Sequence, residues 1–98
     1  MILLALLLAL QVSDPADQDL APFGPLPRDV VAFIDRRTGC NHFAGEFNGD
    51  RSARDREVTK AMRDLRCDRL ETDETRLRRR HAAKPEVQNA LTASRDWQ

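Results

Sequence analysis

Ile2 to Leu10 is an unbroken run of nine apolar residues, ended sharply by Gln11, Ser13, Asp14 and Pro15. Crossing a bilayer takes about 20 apolar residues. A run of nine matches the apolar centre of a secretory signal peptide instead. Residues 1–16 are therefore expected to be a signal peptide, with a periplasmic or secreted destination and no transmembrane helix in the mature chain. Pro15, Pro22, Pro25 and Pro27 crowd the next stretch together with Gly24. Proline lacks the backbone donor that a helix or a ladder needs, so residues 17–26 read as an extended linker.

Helical spacing begins after it, and residues 27–98 read as one small helical domain. Pro27 suits a first helical turn, where its missing N–H has no partner to lose. Val30, Val31, Phe33 and Ile34 then form an apolar stripe. Gly39 supplies a stop, which predicts a first helix over 27–38. Residues 39–51 contain Gly39, Gly45 and Gly49 and keep no period, so they read as a structured loop. Its two aromatics, Phe43 and Phe47, are expected to fold back onto the core. Ser52 with Asp55 resembles a capping box. Val58, Ala61, Met62 and Leu65 share one face of the helix that follows. Asp68 and Glu71 offer a second cap signal, marking either a break near Arg66–Asp68 or a helix that runs on. Leu70 and Leu77 carry a thin apolar stripe, with Glu74 between them on the same face. Lys84–Pro85 starts a last helix, with Val87, Ala90 and Leu91 inward and Trp97 as a plug. Alternation of period two is absent. The expected fold is all-α: three to four short helices in a small bundle.

Composition changes this picture in one respect. The chain has 98 residues, 41% hydrophobic and 33% charged, with a formal net charge of zero. Many of the apolar residues lie in the first 16 positions, so the domain itself has a small core and needs a staple or a partner. Cys40 and Cys67 supply the staple. An even cysteine count in an exported chain reads as a disulfide. The sharper alternative is a zinc site from Cys40, His42, Cys67 and His81. Its spacing departs from the usual paired motifs, and His81 stands among arginines that repel a cation. Glu46, Asn48, Asp50, Ser52 and Glu57 fall at calcium-loop positions. Arg51 stands where that loop needs glycine, so chance spacing is the better reading. No motif calls for a cofactor.

Charge patterning adds a candidate surface. Of the 16 basic residues, 14 are arginine. Arg76, Arg78, Arg79, Arg80, His81 and Lys84 form a run without an acid, following Glu71, Asp73 and Glu74. Glu74 and Arg78 form an i,i+4 pair. The bland reading is a solvated helix face with a dipole-matched end. The functional one is a patch for an acidic protein or another anionic envelope component. Zero net charge and the lack of a nucleic-acid motif argue against specific nucleic-acid binding. Asn41, His42 and Phe43 are a second candidate patch, with either a hydrogen-bonding role in the loop or, with Glu46, a metal-dependent or hydrolytic site.

The stretch Gly39-Cys40-Asn41-His42-Phe43-Ala44-Gly45-Glu46, with Leu65-Arg66-Cys67 and Leu77-Arg78-Arg79-Arg80, resembles small exported proteins of Gram-negative bacteria. These are similar in having a Cys-Asn-His-aromatic loop, a second Cys after a helix, and an Arg-rich helix. Phe43 stands where Trp is more usual. The resemblance implies export and the Cys40–Cys67 pairing, and it assigns no catalytic role. The expectation is a non-enzymatic exported protein that binds an acidic partner. The other readings are the His42/Glu46 site and a structural subunit of an envelope assembly.

Overall fold

A computed structural model describes residues 23–98. The apolar run Ile2–Leu10, the signal-peptide expectation over 1–16 and the linker expectation over 17–22 lie outside the described residues. The fold is all-α, with four helices and no strand among the described residues. These are α1 (Arg28–Glu46), α2 (Ala53–Asp64), α3 (Leu70–Arg80) and α4 (Pro85–Ala93). Short 3₁₀ turns, Cys67–Arg69 and Ser94–Asp96, precede α3 and follow α4.

The helix α1 is the organising element, since every other helix packs on it. Its stripe of Val30, Val31, Phe33 and Ile34 meets Leu77 of α3 and Val87, Ala90 and Leu91 of α4. Leu26 completes this core, with Phe23 and Trp97 packed against its edge. Phe23 and Leu26, which the linker expectation over 17–26 set outside the helical domain, thus lie against its core. Apolar side chains at Phe23 and Leu26 gain more by burial than the intervening Gly24 and Pro25 lose in order.

The expected stop at Gly39 is corrected: α1 runs through it to Glu46. Glycine has a packing role here. A Cβ at Gly39 would lie 3.2 Å from Leu65 Cδ1, so its absence lets the end of α2 approach α1 closely. The loop is then only Phe47–Ser52. Gly45 sits in the last turn of α1, and nothing lies within 4 Å of a Cβ built there. Gly45→Ala should raise stability by about 0.5–1 kcal/mol, read as a higher urea midpoint, because alanine loses less backbone entropy in a helix.

Ser52 caps α2 as its sequence suggests, its Oγ accepting from Asp55 N at 3.1 Å. The break after α2 is real. Arg66 adopts a left-handed conformation (φ 54°, ψ 51°), and the chain turns through Cys67–Arg69 into α3. Neither Asp68 nor Glu71 caps these elements through its side chain. Cys40 and Cys67 are bonded, Cα–Cα 5.6 Å, tying α1 to this turn. No helix among the described residues is long and apolar enough to cross a membrane.

Candidate functional site

A thin core has room for a polar seam. Arg37 projects from α1 into the contact between α3 and α4 and is only 5% exposed. A buried guanidinium is tolerated only when its charge is paired and hydrogen-bonded. The terminal nitrogens of Arg37 donate to the Glu74 carboxylate, the Leu91 carbonyl and Ser94 Oγ, while its Nε is buried without an acceptor among the described residues. Its charged carbon also stands 4.9 Å from the centroid of the Phe33 ring.

Glu74 is the hub. Besides Arg37, it accepts from Arg78 Nε at 2.8 Å and Arg95 Nη2 at 2.9 Å. Burial pulls its carboxyl upward, but the hydrogen bonds from Arg95, Arg78 and Arg37 outweigh that and hold the pKa at about 2 against an ordinary 4.5. A depressed folded-state pKa means that the unfolded chain binds more protons in that range. The stabilisation is fully present above the ordinary value and is lost as pH falls through the folded one. Wild-type stability should therefore drop on acidification from pH 4.5 toward 2, with a smaller slope in Glu74→Gln. Urea denaturation across that range measures it.

This seam absorbs part of the arginine run. Arg78 also reaches Gln88 Oε1 at 3.1 Å and Thr92 Oγ1 at 2.9 Å, fastening α3 to α4. His81 is buried, with Nε2 3.1 Å from Asp29 Oδ1, and Arg80 donates to Asp29 at 3.2 Å. Arg76 pairs with Asp73. Arg79 is exposed, with no side-chain hydrogen bond or ion pair among the described residues.

Two members of the run open onto a cleft between α1 and α3. Arg76 and Arg80 line it with Arg36, Arg66, Asp29 and Asp73, around a volume of about 410 Å³. Four guanidinium groups thus face two carboxylates. Asp73 accepts from Arg36 at 2.6 Å, which holds its carboxyl below the ordinary range. Burial raises the Asp29 pKa, and the His81 hydrogen bond and charge more than offset it. Both carboxylates are thus neutralised by their partners. The Arg66 side chain has no such partner among the described residues. A cleft with surplus guanidinium groups attracts carboxylate or phosphate, which matches the arginine fork.

Asn41, His42 and Phe43 stand elsewhere, on the C-terminal half of α1. Asn41 Nδ2 donates to the carbonyls of Arg95 (2.7 Å) and Trp97 (2.9 Å), anchoring the chain end. His42 is 53% exposed and lies 3.1 Å from Glu46, which also accepts from Arg54. Phe43 stacks edge-on with His42, centroids 5.2 Å apart, and is half-buried. The expectation that both loop aromatics fold onto the core is corrected at Phe47, which is 51% exposed. Continuing α1 through Gly39 carries the following chain away from the core, so Phe47 ends outside it.

The zinc arrangement loses its thiolates, since Cys40 and Cys67 hold each other. His42 and His81 face different carboxylates. The calcium positions do not converge either: Glu46 and Glu57 meet Arg54, and Asp50 accepts from Ser52 N at 3.0 Å. Among the described residues, no group of three or more His, Cys, Asp or Glu side chains is placed to hold a metal.

The sequence reading missed Arg36 and Arg66 in the cleft. Arg36 stands beside the apolar stripe of α1, and nothing in its neighbours marks it. Arg66 adjoins Cys67, and only the turn forced there aims it at α3. Arg37 was missed too, although Glu74 on an apolar face was a signal that a buried cation must exist. Comparison with known protein families, curated proteins and solved structures finds no match for this chain.

Proposed function

We propose that this is a non-enzymatic protein exported to the periplasm or beyond, which binds an acidic partner through the Arg76–Arg80 side of α3. The observation that carries the reading is the cleft, where Arg36, Arg66, Arg76 and Arg80 exceed the acids beside them. The Cys40–Cys67 disulfide supports an oxidising compartment. The apolar run Ile2–Leu10 and the resemblance to small exported proteins support the same destination.

Arg66 strengthens the case. A left-handed residue with a side chain is strained by about 1 kcal/mol or more, and glycine usually takes such a position. Here the strained residue is an unpaired arginine at the cleft wall. Strain kept at a site is a pointer to use.

The test sets stability against binding. Arg66→Gly should raise the unfolding free energy by about 0.5–1 kcal/mol by relieving that strain. It should also weaken binding of poly-L-glutamate, measured by fluorescence anisotropy at low salt. Arg76→Gln with Arg80→Gln should weaken binding further. Affinity unchanged in both variants would remove the cleft as the site.

A further inference from the structure

Phe47 is the one large hydrophobic side chain exposed among the described residues, and the chain around it is held firmly. Asp55, only 3% exposed, accepts from the backbone N–H of Asn48 (2.9 Å) and of Asp50 (2.8 Å). Ser52 caps α2 in the same turn. Gly49 (φ 75°) and Arg51 (φ 60°) take left-handed conformations. A Cβ at Gly49 would lie 3.9 Å from the Phe47 ring, which places the ring against this turn. The turn therefore keeps an aromatic out of the core in a fixed place.

Phe47 lines a groove of about 780 Å³ along α2. Arg56, Lys60 and Arg63 recur along it at helical spacing, and Arg51 also lines it. Its two acids are already engaged, one of them with a cation of the groove itself. Asp55 serves the backbone amides, and Asp64 pairs with Lys60 at 2.8 Å. The Arg51 and Arg63 side chains have no acceptor among the described residues, and Arg56 meets only a backbone carbonyl, that of Arg51. The groove is thus cationic, with a single aromatic anchor.

We infer that this groove docks an extended acidic peptide segment of a partner protein. One apolar side chain of that segment packs on Phe47, and flanking carboxylates meet Arg51, Arg56 and Arg63. The inference rests on the acidic-partner reading for the sign of the partner's charge, and it adds a second contact distinct from the α1–α3 cleft. A peptide fits better than a membrane. A lone ring in a groove inserts little apolar area into lipid, whereas interfacial binding needs a whole apolar face. An aromatic ring that a partner can cover, with arginines beside it, has the residue types in which binding hot spots are rich.

The experiment uses the full oxidised chain and a labelled glutamate-rich peptide with a central Leu-Trp pair. The control peptide has Gly-Ser in place of that pair. The Leu-Trp peptide should bind about tenfold more tightly than the control, and Phe47→Ala should erase that difference. Arg56→Gln with Arg63→Gln should weaken both peptides, and Arg76→Gln with Arg80→Gln should leave the Leu-Trp advantage intact. Phe47 and these arginines are exposed, so circular dichroism should show the variants folded. An advantage that survives Phe47→Ala overturns the inference, as does equal binding of the two peptides. Poly-L-glutamate binding that still depends on Arg66 would then leave the cleft reading standing. Binding to phosphatidylglycerol vesicles through Phe47, with neither peptide bound, also overturns it.

Discussion

Arg37→Ala is expected to destabilise the domain by about 3–5 kcal/mol, the usual loss when one partner of a buried ion pair is removed. Three acceptors each lose a donor at once: Glu74, which keeps Arg78 and Arg95, the Leu91 carbonyl and Ser94 Oγ. The Leu91 carbonyl and Ser94 lie in the contact between α1 and the end of α4, where water does not replace the lost bonds without opening it. Native domains have total stabilities of about 5–15 kcal/mol, so the loss is a large fraction of what holds so small a domain folded. Arg37→Lys should recover only part of the loss, because an ammonium lacks the planar fork that reaches acceptors on both α3 and α4. Equilibrium urea unfolding of the three proteins measures the order. A loss below about 1 kcal/mol in Arg37→Ala would mean that the seam contributes no more than a surface pair.

The second large effect is expected from the sulfur link. Cys40→Ser with Cys67→Ser should lower stability by about 3–4 kcal/mol, the chain-entropy figure for a loop of 27 residues. The bridge closes a segment containing all of α2, whose packing on α1, through buried Val58 and the approach of Leu65 to Gly39, lies outside the main apolar cluster. Reduced protein should therefore lose α2 first and keep the α1–α3–α4 core longer. A reductant should shift the urea midpoint of the wild type and leave that of the double variant unmoved. Hydrogen exchange in the reduced protein should show α2 amides unprotected before those of α4. Equal midpoints with and without reductant would overturn this account.

Both effects arise where a short chain runs out of apolar material. The stripe of α1 covers one side of α3 and α4, and beyond it the contact among the described residues is polar. Arg37 and Glu74 fill it with an ion network in which both guanidinium termini of Arg37 are met, and the disulfide secures α2. Two different devices thus stand in for core volume, which is why each removal is expected to cost so much.

Several elements were legible because their signals are local. Ser52 with Asp55 marks the start of α2, and Lys84–Pro85 marks the start of α4 within a residue. The apolar positions Val30, Phe33, Ile34, Val58, Leu77, Val87 and Leu91 are all buried. The segment after Gly39 was misread because a helical glycine has two causes with the same appearance. It stops a helix when no neighbour needs the space, and it continues one when a side chain such as Leu65 must come close. Nothing within a helical turn of Gly39 separates these cases. The arginine run was only half legible for a similar reason. Arg78 and Arg80 look alike in sequence, yet Arg78 is held in the seam and Arg80 stands at the cleft.

By itself the sequence determined the helical class, the apolar stripes, the start of two helices and the pairing of its cysteines. These depend on residues within a turn of one another or on a count of two thiols. Tertiary structure alone decided that α1 continues past Gly39, that Phe47 faces outward, and which arginines are buried, paired or left at a cleft. Each of those outcomes depends on residues that only the fold brings together: Gly39 with Leu65, Arg37 with Glu74, Arg66 with Arg36 at one cleft. A charge or a glycine takes its role from what the fold brings against it.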